Sequence, residues 1–468
     1  MEGERFHKGM APMGNLAIII LAAGKGTRMK SDLVKVLHPL AGTPMLSYSL
    51  DLARSLEPER FVVVVGFQGD LVQDKFKADD VIFAIQEEQL GTGHAVLSTR
   101  PALQGFHGTV LILSGDVPLL TGETVRDFLQ AHKKRRATVS VITTQLDNPR
   151  GYGRIFRNAE GFLARITEQK DLKPEEEPIR EINTGIYCVD ADFLYPALSR
   201  LSPRNAQKEY YLTDIVARAS AEERRAIPFL VENSLEVMGI NDRVELARAN
   251  QYLRKKIAEH HMLEGVTLID PETTYIDRGV KIGRDTVIYP NCYLQGNTSL
   301  GAGCVVEPGC KLVDTQVGNL VTIKVSSVIS QSVIEDRVEV GPLAHLRPQT
   351  VLREGSRIGN FVEVKKSVVG KGTKANHLTY IGDATLGEKV NVGAGTITCN
   401  YDGHKKHPTI IEDGVFIGSN TELVAPIKVG RNSIIGAGST ITKEVPPETL
   451  AVARSKQVHH KKRSKPKA

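Results

Sequence analysis

Two patterns of apolar residues divide the chain, and the first one occupies its N-terminal half. From residue 17 to about residue 241, apolar runs rich in β-branched residues alternate with segments of helical spacing such as GETVRDFLQAHKKRR; the runs are AIIILAAG, RFVVVVGF, TVLILSGD and ATVSVITTQ. Near-continuous apolar runs are typical of parallel strands that are buried on both faces. The alternation of such strands with helices predicts an α/β domain on a largely parallel sheet over residues 16–241.

The next segment, DRVELARANQYLRKKIAEHHMLEG, has charged and apolar residues at helical spacing and contains no proline. Both features are typical of a continuous helix. We therefore predict a connecting helix over residues 242–264.

The second pattern begins after residue 265 and repeats every six positions. Aliphatic residues keep this period in three blocks: Ile282, Ile288, Leu294, Leu300, Val306 and Leu312; Ile334, Val340, Leu346, Leu352, Ile358 and Val364; Ile417, Leu423, Val429, Ile435 and Ile441. A strict period of six is the sign of the hexapeptide β-helix, in which three short strands make a coil of about 18 residues. The pattern predicts a parallel β-helix over residues 265–455, and in the family that carries this repeat the coil is left-handed.

Cysteine usage gives no sign of a disulfide framework or a metal site. The five cysteines include no CxxC pair, which favours reduced thiols. Cys292, Cys304 and Cys310 occupy the small position two residues before an aliphatic one, so we expect them to fill the core of the β-helix rather than to bind a metal.

The net charge of +6 is concentrated at the C-terminus. The last fifteen residues, RSKQVHHKKRSKPKA, carry seven Lys or Arg and no acidic residue. Residues 456–468 are therefore expected to form a basic disordered tail, and nucleic acid is not expected as a partner.

The N-terminal extension, 1–15, is mixed in charge, and the apolar run after it is too short to insert into a membrane. The cytoplasm is the expected location.

The glycine-rich stretch LAAGKGTRMKSDLVKVLH, residues 21–38, matches neither a Walker A loop nor the dinucleotide fingerprint GxGxxG. It places a small-residue turn after a strand, where backbone N–H groups can approach an anion, and follows it with Arg28 and Lys35. A generic surface turn remains an alternative reading of this stretch alone.

A second element, TVLILSGDVPLL, delivers Asp116 at the end of an apolar strand. Ligands of parallel sheets bind at that edge, and one carboxylate together with substrate phosphates suits Mg²⁺. Viewed alone, an Asp that caps a turn explains the residue equally well.

Taken in order, LAAGKGTRM, QEEQLGTGHA, SGDVPL, GYGRI, EINTGIY and GINDR resemble the sugar-1-phosphate nucleotidyltransferases, whose first domain is Rossmann-like. With the hexapeptide repeat, the resemblance narrows to the bacterial bifunctional N-acetylglucosamine-1-phosphate uridyltransferase/glucosamine-1-phosphate acetyltransferases and runs from Leu16 to Arg454. It implies acetylation of glucosamine 1-phosphate by acetyl-CoA, then transfer of UMP from UTP to give UDP-GlcNAc and pyrophosphate, which would feed peptidoglycan and lipopolysaccharide synthesis. It also implies a homotrimer formed through the β-helix.

The resemblance assigns residues of the first half to the uridyltransferase site. Arg28 and Lys35 would neutralise charge during catalysis, and Asp116 with Asn241 would hold Mg²⁺. The residues implied for UTP and UDP-GlcNAc are Leu21, Ala22, Ala23, Gly24, Lys35, Gln86, Gly91, Thr92, Ser114, Gly115, Asp116, Gly153, Glu168, Asn183 and Asn241.

Two positions depart from the family pattern. Val34 stands where relatives commonly have Pro before the lysine, and this change is expected to loosen the loop that carries Lys35. Ser114 stands where some relatives have Tyr, and this change is expected to matter little because the site there is lined by backbone.

In the second half, Arg347 and Lys365 lie eighteen residues apart, and coils of that length place them on one face at a strand spacing of about 4.8 Å. Two like charges that close repel by about 3 to 4 kcal/mol at an effective dielectric near 20. An anion held between them would offset this repulsion, although both side chains could instead splay into solvent. The resemblance assigns them to the phosphate of glucosamine 1-phosphate.

The six-residue phase is lost over residues 376–414, where we expect the β-helix to eject a functional loop. An imidazole suits removal of a proton from an amine near neutral pH, and the motif HLTYIGD makes His377 the implied general base. The resemblance adds Tyr380, Asn391 and Lys406 for glucosamine 1-phosphate, with Lys406 reaching a neighbouring subunit. For acetyl-CoA it adds Ala394, Asn400, Tyr401, Ser419, Ala437 and Arg454.

Two other functions compete with this hypothesis. The β-helix could be a trimerising or regulatory scaffold on an enzyme that carries out nucleotidyl transfer alone, or the chain could be a non-catalytic assembly protein that has kept both folds. His377, Tyr380, Asn391 and Lys406 argue against the first alternative, and Lys35, Asp116 and Asn241 argue against the second.

Overall fold

The computed structural model describes residues 15–462. The predicted extension, apart from Asn15, and the last six residues of the predicted tail lie outside the described residues. The chain divides into two compact units between Leu253 and Arg254, inside a long helix. No helix among residues 15–462 combines the length and the apolar character needed to cross a bilayer.

The first unit contains eleven strands and most of the helices. Its strands are β1 Leu16–Leu21, β2 Pro39–Leu40, β3 Thr43–Pro44, β4 Arg60–Val65, β5 Ile82–Ile85, β6 Thr109–Ser114, β7 Val139–Gln145, β8 Arg154–Arg157, β9 Leu163–Thr167, β10 Glu181–Asp190 and β11 Ala226–Leu230. The helices are α1 Met45–Arg54, α2 Gly69–Phe76, α3 Thr92–Leu97, α4 Gly122–Lys134, α5 Ala191–Leu198, α6 Asp214–Ala221, α7 Ser234–Val237 and the long helix α8 Arg243–Leu263.

The main sheet of this unit has the strand order β11-β7-β10-β6-β1-β4-β5. The strands β6, β1, β4 and β5 are mutually parallel, as the apolar runs predict. Strand β10 runs antiparallel to both β6 and β7, so the sheet is mixed rather than uniformly parallel. The carboxyl ends of β1, β4 and β6 meet at one edge, where ligands bind in such folds.

Helix α4 shows how local sequence sets the ends of these elements. Thr121 caps its N-terminus, because its hydroxyl accepts a hydrogen bond from the Thr124 N–H at 3.2 Å. Its last turn carries His132, Lys133 and Lys134, which complement the negative end of the helix dipole. The apolar face buries Val125 and Phe128 against the sheet.

The second unit is a parallel β-helix of short strands, built from the hexapeptide repeat as predicted. Its strands are β12 Thr267–Leu268, β13 Tyr275–Ile276, β14 Lys281–Ile282, β15 Val287–Ile288, β16 Tyr293–Gln295, β17 Ser299–Leu300, β18 Val305–Val306, β19 Lys311–Val313, β20 Gln316–Val317, β21 Thr322–Ile323, β22 Val328–Ser330, β23 Ser332–Ile334, β24 Glu339–Val340, β25 His345–Leu346, β26 Thr350–Leu352, β27 Arg357–Asn360, β28 Glu363–Lys365, β29 Val368–Val369, β30 Lys374–His377, β31 Tyr380–Gly382, β32 Ala384–Leu386, β33 Asn391–Val392, β34 Ile397–Cys399, β35 Thr409–Ile411, β36 Phe416–Ile417, β37 Glu422–Val424, β38 Ile427–Val429, β39 Ile434–Ile435, β40 Thr440–Ile441 and β41 Leu450–Ala451. Every third strand up to β40 joins the same sheet, and β41 pairs with β39, so the prism has three faces.

The six-residue period follows from what each coil buries. The aliphatic residue of each strand points inward, and Ile288, Leu294 and Val306 are completely buried. The small residue two positions earlier is also buried at the corner, where the hydroxyl of Thr286, for example, donates to the Gly301 carbonyl at 2.9 Å. Cys292, Cys304 and Cys310 occupy such corners as free, buried thiols, which confirms that they are core residues.

The interruptions of the period have two causes. Some coils are one residue short of the predicted 18, as where Leu300 pairs with Val317 and where Val351 pairs with Val368. One coil is longer, because Thr385 pairs with Ile410 across an insertion that lies between β34 and β35. We call residues 400–408 the excursion loop.

The prediction that the whole stretch 376–414 leaves the β-helix is therefore wrong. Strands β30 to β34 continue the three sheets through most of it, and the excursion loop alone departs from them. Short coils had shifted the six-residue phase without breaking the coil. As a result, His377, Tyr380 and Asn391 lie on strands rather than in a loop.

Candidate functional sites

The small-residue turn after β1 lies at the edge where three parallel strands end. The Ala22 N–H donates to the Val64 carbonyl at 2.9 Å, and the Gly115 N–H donates to the Leu21 carbonyl at 2.9 Å. A Cβ added to Gly24 would meet no heavy atom within 4 Å, so this glycine borders open space. The turn thus offers backbone next to a space that a ligand could fill.

Gly26, in the same stretch, is constrained by its own chain. Its φ is +62°, a left-handed conformation that favours glycine, and a Cβ there would lie 2.5 Å from the Cβ of Lys35. The close approach brings the stem of Lys35 against the turn. Gly26 therefore positions the lysine.

Lys35 is the centre of the candidate nucleotide site. Its Nζ forms an ion pair with Asp116 Oδ2 and donates to Asn241 Oδ1 at 2.8 Å. Arg28 Nη2 donates to the same Asn241 oxygen at 2.9 Å. The four residues named for catalysis and metal binding thus converge from three distant parts of the first unit.

Asp116 is held as a carboxylate by its surroundings. Burial acts to raise its pKa, but the charge of Lys35 and the hydrogen bonds from Lys35 and Ser114 outweigh burial, so the pKa lies below its usual value. The Ser114 hydroxyl donates to Asp116 Oδ1 at 2.6 Å. Ser114 therefore does more than the sequence indicated, because its side chain orients the carboxylate.

The same oxygens fit the metal that the sequence predicts. Asp116 Oδ2 and Asn241 Oδ1 both contact one cationic group, the ammonium of Lys35, so together they already form an oxygen-lined cation site. A carboxylate and an amide oxygen are ligands that Mg²⁺ accepts when water and phosphate oxygens complete its shell.

Gln86, Gly91 and Thr92, three of the residues implied for UTP and UDP-GlcNAc, also lie together. The Gln86 amide is nearly buried, and its Nε2 donates to the Gly91 carbonyl at 3.0 Å. Gly91 has φ +111°, and a Cβ there would lie 2.7 Å from the Tyr210 carbonyl. Thr92 Oγ1 accepts from the Leu212 N–H at 3.1 Å. This loop is thus packed against residues 210–212.

Gly153, Glu168 and Asn183 form a third group. The Asn183 N–H donates to the Gly153 carbonyl at 2.9 Å, and a Cβ on Gly153 would lie 3.5 Å from both carboxylate oxygens of Glu168. Burial raises the pKa of Glu168, with further increases from Asp214 and Asp171, although the Thr213 hydroxyl acts in the opposite direction.

The sequence motifs assigned no role to two residues that lie near Asp116 and Asn241. The Tyr152 hydroxyl is buried without a hydrogen-bond partner within residues 15–462, and burial, together with Glu245 and Asp116, raises its pKa to about 12. Glu245 Oε2 accepts from the Asn241 N–H at 2.6 Å and so fixes the backbone that carries the amide ligand. Tyr152 is part of the quoted motif GYGRI, and Glu245 lies two residues after GINDR, but only the fold brings them together.

Val34 was expected to loosen the loop that carries Lys35, but its side chain is packed in the core. It is 1% exposed and packs in the core that includes Val36 and Leu37, and its φ of −52° and ψ of 134° are close to those of a proline. Packing therefore supplies the restraint on the Lys35 loop that we expected a proline to provide.

In the β-helix, Arg347 and Lys365 follow paired positions of adjacent coils, since Leu346 pairs with Val364. Each cation has an acidic partner, however. Arg347 Nη1 lies 2.8 Å from Glu363 Oε1, and Lys365 Nζ lies 3.4 Å from Asp383 Oδ2. These pairs offset the repulsion from which an anion was inferred, so the phosphate assignment rests on the family resemblance.

His377 ends strand β30, one coil away from Asn360. Its Nδ1 lies 2.8 Å from Asn360 Oδ1, and the two residues are paired in register. An Nδ1–H that donates to this oxygen leaves Nε2 as the acceptor nitrogen. The ring is exposed to solvent on its other side.

The excursion loop carries Asn400, Tyr401 and Lys406. Asn400 is 4% exposed, whereas Tyr401 is 57% exposed. The loop is closed by an antiparallel bridge between Tyr401 and Lys406, and Lys406 Nζ lies 4.9 Å from the centre of the Tyr401 ring. Asp402 further braces it by accepting from the N–H groups of His404 and Lys405.

The remaining acetyl-CoA candidates stack at one corner of the β-helix. The Ala394 carbonyl accepts from the Asn420 N–H at 2.7 Å, and the Ser419 carbonyl accepts from the Gly438 N–H at 2.8 Å. The Ala437 carbonyl accepts from Arg454 Nη1 at 2.7 Å, so the arginine closes this column. Asn391 lies on β33, just before Ala394.

Models of known protein families match segments of both units. A MobA-like NTP transferase domain model matches residues 18–179. A bacterial transferase hexapeptide model matches residues 279–313, and a model of the hexapeptide repeat of succinyl-transferase matches residues 408–443.

Curated relatives extend over nearly the whole chain. The bifunctional protein GlmU of Geotalea uraniireducens is 54% identical over 448 residues, which cover 96% of this chain and 98% of the relative. GlmU of Pelobacter propionicus is 53% identical and covers 96% and 97%. A solved UDP-glucose pyrophosphorylase in complex with UDP-glucose shares 19% identity over 52% of this chain and 99% of its own, with a TM-score of 0.44, and adds nothing to the assignment. The chain thus belongs to the GlmU family of bifunctional N-acetylglucosamine-1-phosphate uridyltransferase/glucosamine-1-phosphate acetyltransferases of UDP-GlcNAc synthesis.

Proposed function

We propose that the uridylyl transfer of this family takes place at the cluster of Lys35, Arg28, Asp116 and Asn241, and that acetyl transfer takes place at the surface formed by His377 and the excursion loop. The observation that carries the first assignment is the convergence of two cations and two metal-type oxygens at the carboxyl edge of β1 and β6. The two reactions would then use separate units of the chain.

In the first reaction, the phosphate of N-acetylglucosamine 1-phosphate attacks the α-phosphate of UTP and expels pyrophosphate. The nucleophile is already an anion, so no general base is needed, and positioning and neutralisation of charge carry the catalysis. Asp116 and Asn241 would hold Mg²⁺, which supplies positive charge to the phosphates. Arg28 and Lys35 supply the remaining positive charge, and the backbone of residues 21–24 borders the phosphates.

The groups around Gln86 and Glu168 would hold the two ends of the sugar nucleotide. Gln86, Gly91 and Thr92 would read the uracil through amide and backbone hydrogen bonds. Gly153, Glu168 and Asn183 would hold the N-acetylglucosamine moiety, with Ser114 and Gly115 beside Asp116. These roles are supported by the hydrogen bonds that hold each set together, from Gln86 to Gly91 and from Asn183 to Gly153.

In the second reaction, the amine of glucosamine 1-phosphate attacks the thioester carbonyl of acetyl-CoA, the C–S bond breaks, and coenzyme A leaves as the thiolate, which is then protonated. His377 Nε2 would take the amine proton, while Asn360 holds the other ring nitrogen. Arg347, Lys365, Tyr380, Asn391 and Lys406 would bind the sugar phosphate. The corner column with Arg454 at its end would bind acetyl-CoA, together with Asn400 and Tyr401.

We further propose a cytoplasmic homotrimer formed through the β-helix. One face of the prism carries the in-register column Val333, Val351, Val368, Thr385 and Ile410, which is apolar except at Thr385. Val333 and Ile410 are 39% and 43% exposed, so the column would gain stability from a partner surface. Sedimentation of the purified protein tests the trimer.

The decisive experiment is incubation with glucosamine 1-phosphate, acetyl-CoA, UTP and Mg²⁺, with one component omitted at a time. UDP-GlcNAc is expected only from the complete mixture. A nucleotide sugar formed without acetyl-CoA would show that the proposed sugar specificity is wrong, and N-acetylglucosamine 1-phosphate that accumulates without UTP would support the order of the two reactions.

A further inference from the structure

Asp383 is a largely buried carboxylate in the second unit to which the motifs assigned no role. It lies at the corner between β31 and β32, and its side chain is 10% exposed. A carboxylate in such a place is costly unless it is paired or hydrogen-bonded. Its partners therefore indicate what it stabilises.

One oxygen of Asp383 contacts residues of two substrate sites. Its Oδ2 accepts from Asn400 Nδ2 at 2.6 Å and lies 3.4 Å from Lys365 Nζ. Lys365 is the proposed ligand of the sugar phosphate, and Asn400 is a proposed ligand of acetyl-CoA. Its other oxygen, Oδ1, lies 3.8 Å from Lys366 Nζ.

The backbone around Asp383 makes this junction rigid. The Asp383 N–H donates to the Lys365 carbonyl at 3.0 Å, and the Asp383 carbonyl accepts from the Thr409 N–H at 3.2 Å. The backbone of Asp383 is thus fixed both to the coil that carries Lys365 and to Thr409, the first residue after the excursion loop. A movement of either would be transmitted to the other.

We propose that Asp383 is a positioning residue that couples the glucosamine-1-phosphate site to the acetyl-CoA site by holding Lys365 and Asn400 in one arrangement. The inference rests on the acetyltransferase half of the proposed function. A free lysine loses rotamer entropy when it is ordered, and the ion pair offsets this cost before the substrate binds. For Asn400, the carboxylate fixes which side of the amide donates, since a carboxylate can only accept.

Two substitutions separate the two contacts. Asp383→Asn keeps an oxygen at the Oδ2 position that can accept from Asn400. It removes the negative charge that pairs with Lys365, and it turns an NH₂ group toward Lys366. The KM for glucosamine 1-phosphate should therefore rise at least fivefold, while the KM for acetyl-CoA stays within twofold of the wild-type value. Asp383→Ala removes both contacts, and both KM values should rise at least fivefold.

Asp314 provides a matched control. It is also a corner carboxylate, and its Oδ1 accepts from the Asn297 N–H at 2.9 Å in an early coil. Asp314→Asn should leave both KM values unchanged. In every variant, circular dichroism and a thermal melt report whether the β-helix is folded, and the near-isosteric Asn variant carries the test if Asp383→Ala does not fold.

The outcomes distinguish this inference from the function on which it rests. Wild-type enzyme that acetylates glucosamine 1-phosphate, with unchanged KM values in both Asp383 variants, overturns the positioning role alone. Equal increases of both KM values in Asp383→Asn also overturn it, because they indicate general damage to the coil. Wild-type enzyme that does not acetylate at all overturns the proposed function and this inference together.

Discussion

Lys35 and Asn241 are joined by a hydrogen bond of 2.8 Å although 206 positions of the sequence separate them. The lysine lies in the connection between β1 and β2, and the asparagine lies just before α8. The candidate uridylyl site is therefore completed only when the whole first unit has folded. Its residues can be tested separately from those of the β-helix.

The first prediction is that a single substitution can abolish one of the two activities and leave the other intact. Asp116→Ala should lower uridylyl transfer by about a hundredfold or more, because it removes a proposed metal ligand and the partner of Lys35. His377→Ala should lower acetyl transfer by about a hundredfold or more, because it removes the proposed general base. Separate assays of the two half-reactions measure each effect, and loss of both activities from either folded variant would contradict the two-site assignment.

The second prediction uses two glycines of one turn. Gly26→Ala forces a left-handed conformation on alanine and places its Cβ against Lys35, so it should cost about 1–2 kcal/mol or more in stability and lower uridylyl transfer. Gly24→Ala meets no atom of the protein and should leave the melting temperature unchanged while it raises the KM for UTP. Equal melting temperatures for the two variants would show that Lys35 does not pack on Gly26.

The third prediction concerns acid stability without Mg²⁺. The folded pKa of Asp116 is lowered, so its contribution to stability is present above its unfolded pKa and is lost as the pH falls through the folded value. In Lys35→Met the opposing effect of burial should prevail and raise this pKa. The variant should then lose less stability than the wild type, or gain some, between pH 7 and about pH 4.

Urea unfolding at several pH values, in the presence of a chelator, gives the comparison. The difference in unfolding free energy between wild type and Lys35→Met should shrink steadily as the pH falls toward 4. A difference that does not depend on pH would mean that the ion pair with Asp116 does not set the pKa.

The fourth prediction concerns the position where a proline was expected. Val34 already has backbone angles that proline adopts, so Val34→Pro should change the stability by no more than about 1 kcal/mol and preserve uridylyl transfer. Leu37→Pro is the control, because it removes an N–H that donates to the Val34 carbonyl at 2.9 Å. A strongly impaired Val34→Pro enzyme would show that the side chain of Val34 matters more than the backbone.

The sequence predicted the fold well because both periodicities are local consequences of burial. The six-residue repeat of Ile288 and Leu294 follows directly from the inward position of one residue per strand. Coil length was harder to predict, since a corner that lacks one residue shifts the phase without breaking the stack. For that reason, strands β30 to β34 were mistaken for a loop.

The candidate sites were predicted only in part. Motifs identified Lys35, Asp116 and Asn241, and the structure brings them together. Motifs could not reveal the hydrogen bond from Ser114 or the ion pair between Lys365 and Asp383, because such contacts depend on side-chain orientation at a folded corner. The ion pair between Arg347 and Glu363 also depends on the folded coil and could not be predicted from motifs.

The excursion loop has a consequence for how such an enzyme can be redesigned. Beyond the insertion the coils return to the regular length, as the pairing of Ile410 with Lys428 shows. Residues added at one corner therefore leave the stacking of later coils intact. A corner loop can be replaced without a change in the strands on either side of it. A loop of different length or chemistry could be grafted between β34 and β35 to seek a different acyl donor, while the three sheets of the prism stay in register.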